Sequence, residues 1–443
     1  MRRYFTIPLY CLLIVAASAW AFWNSPIKNA VHYYGQVTQE RSRSDVDQQP
    51  TLQKDAHYVG SKVCADCHDE IYQVQHASMH PKMIQDVKAD PSAIIADFAT
   101  LPADASFSRA DVVYTIGSKF KQRYMLRKDT PDKAGYPEEN YIIGNYQWNS
   151  ETQQWQSYSV YKDWYHDAWP LNNANIYTSH ACDGCHFTGF NSQSQRIEPG
   201  INCESCHGPG SVHSNDELPE SIYLATRHDP QRAMEICLQC HMRNVDKRLD
   251  DASLTVADLY GTARDYPYGY EPGLPLADYK RQAPFTPGVE DSKFYANGIG
   301  KKNRMQGNDY VQSTMYKHGI TCMNCHDPHS ADNTARQPRG ASMCMECHSY
   351  GSPLGPHQDT EFAHSRHAEG PGSPNCIDCH MPKIGKHTGK SPHTVRTHVF
   401  RFIYPQESIA YGLPNACSSC HEESNEWAQQ KMQEWGMTTW ERH

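Results

Sequence analysis

Apolar residues fall along this chain in three patterns, and each predicts a different kind of element. The first is continuous: behind Met1-Arg2-Arg3, the run from Tyr4 to Trp23 carries no charge. The second is the short aromatic and β-branched run bounded by turn residues, at 111–116, 124–126, 141–148 and 154–161. These read as strands, the last two joined by a turn at Asn149-Ser-Glu-Thr152. The third is the helix-spaced set Trp427, Met432 and Trp435, which predicts one amphipathic helix within 422–443. Elsewhere apolar residues stand singly among polar ones. Residues 24–55 read as a polar tether, and 246–310, full of Pro, Gly, Tyr and Asp, as a wrapping loop.

The leading run is an export signal in either of two forms. As a cleavable peptide (residues 1–23) it offers small residues at Ala17 and Ala19, or at Ala19 and Ala21. As a retained anchor it is just long enough to span, with Trp20, Phe22 and Trp23 as an interfacial belt. Its length exceeds the roughly 7 to 15 residues usual for a signal's apolar region, which favours the anchor. Arg2 and Arg3 would keep the N-terminus in the cytoplasm and the rest outside.

Hydrophobic residues make up only 38% of the 443, low for a core of that size, so something besides side chains must fill the interior. The cysteines say what. Of 17, sixteen form eight Cys-x-x-Cys pairs, each followed at once by His: Cys64/Cys67/His68, Cys182/Cys185/His186, Cys203/Cys206/His207, Cys237/Cys240/His241, Cys322/Cys325/His326, Cys344/Cys347/His348, Cys376/Cys379/His380 and Cys417/Cys420/His421. The seventeenth, Cys11, is filler in the apolar run. One such pair alone would suit a zinc ribbon. With 25 His in the chain, eight trailing histidines would arise by chance on the order of once in 10^10.

The motif has a chemical reason. Two thioether bonds fix the haem ring, and the next residue then puts an imidazole nitrogen on the iron. The expected cofactor is therefore eight covalently bound haem c. The expected fold is mainly α and coil, short helices wrapped around stacked haems, with a small antiparallel β insert. Four haems belong to an N-terminal region at 56–245, which holds the insert at about 111–165, and four to a C-terminal region at 311–421. Attachment takes place outside the cytoplasm, which places the protein on the periplasmic side of the membrane, anchored or soluble, or outside the cell.

Each motif histidine takes one side of an iron. For the other side, local context offers His80, His180, His213, His318, His329, His364, His367 and His398, enough to give every haem two histidines. His32, His57 and His443 read as surface residues, and Met83, Met242 and Met381 as packing residues able to ligate.

Three stretches resemble the cytochrome c-554 family of multihaem cytochromes: Tyr58-Val-Gly-Ser-Lys-Val-Cys-Ala-Asp-Cys-His68 with Ser78-Met-His80, Cys182-Asp-Gly-Cys-His-Phe-Thr-Gly189, and Gly200-Ile-Asn-Cys-Glu-Ser-Cys-His-Gly-Pro-Gly-Ser-Val-His213. His380-Met-Pro382, Arg396-Thr-His-Val-Phe400 and Gly412-Leu-Pro-Asn-Ala-Cys417 are similar to the same group. The resemblance implies electron transfer through closely stacked haems, with His80, His213 and His398 as distal ligands. It also implies a distant relation to hydroxylamine oxidoreductase and the multihaem nitrite reductases. The chain departs from the latter in lacking Cys-x-x-Cys-Lys, and from repeat-bearing relatives in having no repeat after His421.

Two functions fit. The first is electron transfer between a membrane or periplasmic donor and a terminal reductase or acceptor. The alternative is an oxidoreductase acting on a small nitrogen or sulfur compound (nitrite, hydroxylamine, tetrathionate, sulfite) at one haem with an open distal face. That haem would belong to the first motif, or to the Cys182 motif near Tyr161, Trp164, Tyr165 and His166. The net charge of -9, to which haem propionates add, argues against nucleic acid. The expected partners are redox proteins, the membrane if residues 1–23 are kept, and further copies in an oligomer or filament.

Overall fold

The computed structural model describes residues 56–128, 140–159, 177–190, 195–246, 253, 264, 266–283, 285–330, 341–353, 355, 360–368, 374–386 and 393–437. The apolar run at 4–23 and the tether at 24–55 lie outside these, and no helix among the described residues is long and apolar enough to cross a membrane.

The chain opens with α1 (Ser61–Ala77), which kinks at the first motif histidine, His68 (φ −117, ψ 40). A six-stranded antiparallel sheet follows, built from β1 (Ile84–Asp86), β2 (Val112–Ile116), β3 (Lys121–Arg127), β4 (Tyr141–Ile143), β5 (Tyr146–Asn149) and β6 (Gln154–Ser157). Its path runs β1-β2-β3-β5-β6, with β4 also paired to β3. The sheet is longer than the sequence pattern indicates: β1 is a three-residue strand with no alternation to betray it, registered Ile84 to Ile116. The β5–β6 turn is as read, with Asn149 Oδ1 accepting from the amides of Glu151 and Thr152.

Alternation along β3 sends neighbours to opposite faces. Tyr124 and Leu126 join Ile94, Phe107 and Trp148 in one core cluster, while Met125 joins Ile84, Tyr141, Cys185, Phe187 and Tyr266 in another. The second cluster ties the sheet to a haem motif.

Most of the remainder is short helix and coil. It comprises α2 (Thr178–Ala181), α3 (Asp183–His186), the small pair β7 (Phe187–Thr188) and β8 (Glu198–Pro199), α4 (Cys203–His207), α5 (His213–Asp216) and α6 (Pro230–His241). In α6, Pro230 takes the first position and Asp229 caps the amides of Gln231 and Arg232. Within the expected loop, β9 (Asn244–Asp246) pairs with β10 (Lys280–Gln282). Then come α7 (Gln306–Tyr310), α8 (Thr314–Lys317), α9 (Cys322–Cys325), α10 (Ala341–Met345), α11 (Glu361–Ser365), α12 (Cys376–His380), the hairpin of β11 (Lys383–Lys386) and β12 (His393–Arg396), α13 (Pro405–Tyr411) and α14 (Asn425–Glu434). The C-terminal helix is shorter than its apolar stripe: Ser424 caps it, Met432 is buried, and Trp435 lies at its C-cap.

Candidate haem-binding site

Most motifs sit on a helical turn, which brings the two cysteines to one side and delivers the histidine at the turn's end. The sixteen motif cysteines are thiols, none in a disulfide; they stand in for the sulfurs that carry the haem.

The structure brings six motif histidines face to face with a second histidine. The pairs are His68–His213 (ring centroids 6.3 Å apart), His241–His80 (6.4 Å), His207–His329 (6.1 Å), His326–His398 (6.4 Å), His380–His364 (6.1 Å) and His421–His367 (6.3 Å). Two metal–imidazole bonds of about 2 Å, plus about 1.2 Å from each nitrogen to its ring centre, put opposed rings about 6.4 Å apart. Each pair thus leaves the gap that one six-coordinate iron fills. Burial holds several of these imidazoles in the neutral, ligating form: His241 and His398 fall to about 4, and His80, His207 and His380 are also lowered.

The motifs also touch one another. Cys64 lies beside Cys203, Cys344 beside Cys376, and Cys379 near Cys417 and Cys420. The fourth motif has three neighbours. Its Gln239 donates to the Ser205 carbonyl of the third, and the Gln239 carbonyl accepts from Cys185 Sγ of the second. Its Cys237 packs with Cys206 and with Met323 of the fifth motif. Arg396 bridges the fifth and seventh: it lies two residues before His398 and donates to the Ile377 and Met381 carbonyls and to Asp378 Oδ1.

Exposure of the cysteines corrects the expectation that the haem motifs fill the interior. Cys185 of the second motif is buried, but Cys67 of the first motif, Cys347 of the sixth and Cys420 of the eighth are exposed. The reason lies in the contacts between motifs. The first meets the third, whereas the sixth and the eighth each meet the seventh, so each of the three has a motif packed on one side and an outward sulfur on the other. At Cys67, Cys347 and Cys420 the attachment point is therefore at the surface, and the interior reading holds for the motifs between them.

His186 differs. Among the described residues no second imidazole faces it. Burial and the charges of Arg304 and Arg123 push it down to about 4. Lys280, Arg243 and Arg304 act in the same way on the neighbouring Cys185. Lys280 is 3% exposed and Arg243 7%, so this is an interior positive field. Nothing local in the sequence marks these residues, because they come from separate segments with no common spacing.

The other expected ligands fall as follows. His180 is buried edge-on to Tyr177, and His318 is exposed at the end of α8; neither faces a motif histidine among the described residues. His348 lies near His380. Met242 packs in the apolar cluster of Leu238 and Tyr310, Met83 ends a short helical turn, and the Met381 carbonyl accepts from Arg396. Tyr161, Trp164, Tyr165 and His166 lie outside the described residues.

Paired histidines across a metal-sized gap beside cysteine pairs define a multihaem c-type cytochrome. Residues 141–208 match the family "Cytochrome c554 and c-prime", and 315–352 match the doubled CXXCH motif. The chain is a multihaem c-type cytochrome of the cytochrome c-554-like group, distantly related to the multihaem reductases. It resembles the outer cell wall cytochrome OcwA at 23% identity and a TM-score of 0.65, covering 85% of this chain and 86% of that one, a likeness of fold. It is also similar to the dissimilatory sulfite reductase MccA of Wolinella succinogenes, 22% identical over 233 residues, 52% of this chain. The chain spans only 23% of that relative's length. Multihaem c-type cytochromes are in general exported proteins.

Proposed function

We propose that the chain carries eight covalently bound haems c, one per motif, and passes single electrons along them between a membrane or periplasmic donor and a terminal reductase or other acceptor. The observation that carries this reading is the set of six histidine pairs at 6.1–6.4 Å. An iron held by an imidazole on each side keeps its ligands in both oxidation states, so an electron comes and goes with little rearrangement. In this reading His213, His80, His329, His398, His364 and His367 are the distal ligands. Electrons enter and leave at the motifs whose cysteines Cys67, Cys347 and Cys420 reach the surface. The redox partners are proteins, and the work is done outside the cytoplasmic membrane.

A second reading is favoured by the surroundings of His186. A haem held there by one histidine, in a buried field of Arg123, Arg304, Lys280 and Arg243, suits a small anion. The partial likeness to a sulfite reductase supports sulfite or a related nitrogen or sulfur compound as that anion.

Low-temperature electron paramagnetic resonance of the oxidised protein, with and without sulfite, nitrite or hydroxylamine, tests both. Low-spin signals unmoved by any of the three support the relay alone. A high-spin signal that shifts with an added compound supports chemistry at the His186 haem. Absence of low-spin signals overturns the relay.

A further inference from the structure

The six histidine pairs share one spacing and differ in twist. Five have ring planes 4° to 36° apart: His380–His364 (4°), His207–His329 (5°), His68–His213 (13°), His326–His398 (24°) and His421–His367 (36°). His80 and His241 stand at 71°.

We propose that the haem of the Cys237–His241 motif is the junction and electron reservoir of the network, set apart by crossed axial imidazoles. The proposal rests on the relay reading and deepens it.

Position makes this haem a junction. Through Gln239, Cys237 and their contacts, its motif touches the second, third and fifth motifs, and through the third it reaches the first. An electron arriving from the N-terminal side therefore meets a branch: one arm leads to the fifth motif and on through Arg396 to the seventh, the other to the motif of His186.

Twist makes it a reservoir. Parallel imidazoles both raise the same iron d orbital, and a ferric iron gains by keeping its electron hole there. Crossed imidazoles raise two orbitals almost equally, the gain disappears, and the ferrous state is favoured. Burial acts the same way, since the ferric core carries a net positive charge that the ferrous core lacks. So does the charge of Arg304, which reaches His241. All three effects raise the potential of this haem above those of the five others. The step is a plain exchange: a neighbouring ferrous haem gives up one electron and becomes ferric, and this haem becomes ferrous. No bond forms or breaks and no proton moves.

The chain holds the twist from both sides. On the His80 side, the residue's amide donates to Ser78 Oγ, and its carbonyl accepts from Ile201 and Met83. Gly200, at φ +84, lets its backbone approach Pro81 more closely than any Cβ would permit. On the His241 side, Gln306 at the start of α7 lies beside the ring, and its buried amide oxygen, with no partner, is an acceptor for the ring N–H turned away from the iron.

The test is a potential-poised titration of the full-length holoprotein, followed by low-temperature electron paramagnetic resonance. The expected result is one strongly anisotropic low-spin signal, with a largest g value well above those of the near-parallel pairs, that is the first low-spin signal lost as the potential falls. His80→Ala should remove that signal and leave the others. Gln306→Leu, which keeps both ligands, should shift it toward the others and delay its loss, with the haem count by intact mass unchanged. If the anisotropic signal is absent, is lost last, or survives in His80→Ala, the proposal is overturned while the other low-spin signals still uphold the relay. If no low-spin signals are present, the relay reading fails with it.

Discussion

Asp309 is 3% exposed and takes three donors: the Gly300 amide on Oδ1, and the Thr397 hydroxyl and His398 amide on Oδ2. Burial outweighs these and pushes its carboxyl up to about 6. The folded chain therefore holds this proton more tightly than the unfolded chain does. The stability contributed is complete below the ordinary carboxyl range, near pH 4, and is lost as pH rises through about 6. The loss amounts to roughly 3 kcal/mol. Asp309→Asn does not titrate, so the stability gap between wild type and variant should narrow by about that amount from pH 4 to pH 7. Chemical denaturation followed by circular dichroism measures it, and a gap independent of pH would contradict the argument. At this scale the motif residues were legible because their chemistry is local in sequence. Their exposure was not: Cys67 and Cys347 carry the same spacing as the buried Cys185, and only the packing of motif on motif separates them. Six of the proposed distal histidines were legible from their neighbours, but their partners were not: His329 lies three residues from His326 yet faces His207. The cations around Cys185 left no trace, because separate segments supply them.

At the scale of elements, Glu204 fastens α1 to α4. It is 1% exposed, and its carboxylate accepts from the amides of Val59, Gly60 and Gly210, the first two just before α1. In Glu204→Gln one oxygen becomes a donor facing donors. The expected cost is about 1–3 kcal/mol, read as a lower denaturation midpoint. No change would mean that the segment before α1 is held by other contacts. The hairpin turn at 149–152 was legible because Asn149 acts within four residues. Strand β1 was not, because its three residues are strand only through pairing with β2. The packing of Gly184 against the Tyr266 ring joins segments about eighty residues apart, and no window on the sequence contains both.

Across the whole molecule the contacts between motifs join the first through the third to the fourth, the fourth to the second and fifth, and the fifth to the seventh, which meets the sixth and eighth. Chain order is not spatial order: the second motif is a side branch, although it lies between the first and third in sequence. The sequence holds eight motifs and a hydrophobic content too low for an aliphatic core, which is enough to read the composition of the interior but not its wiring.

The central claim, eight haems in one electrically continuous set, is tested most directly by coulometric titration of the holoprotein. The account predicts eight electrons taken up per chain, all registered in the haem absorption bands and all exchanging within one mixing time. Uptake of fewer than eight, or a fraction of haem that stays oxidised and equilibrates only slowly, would contradict it.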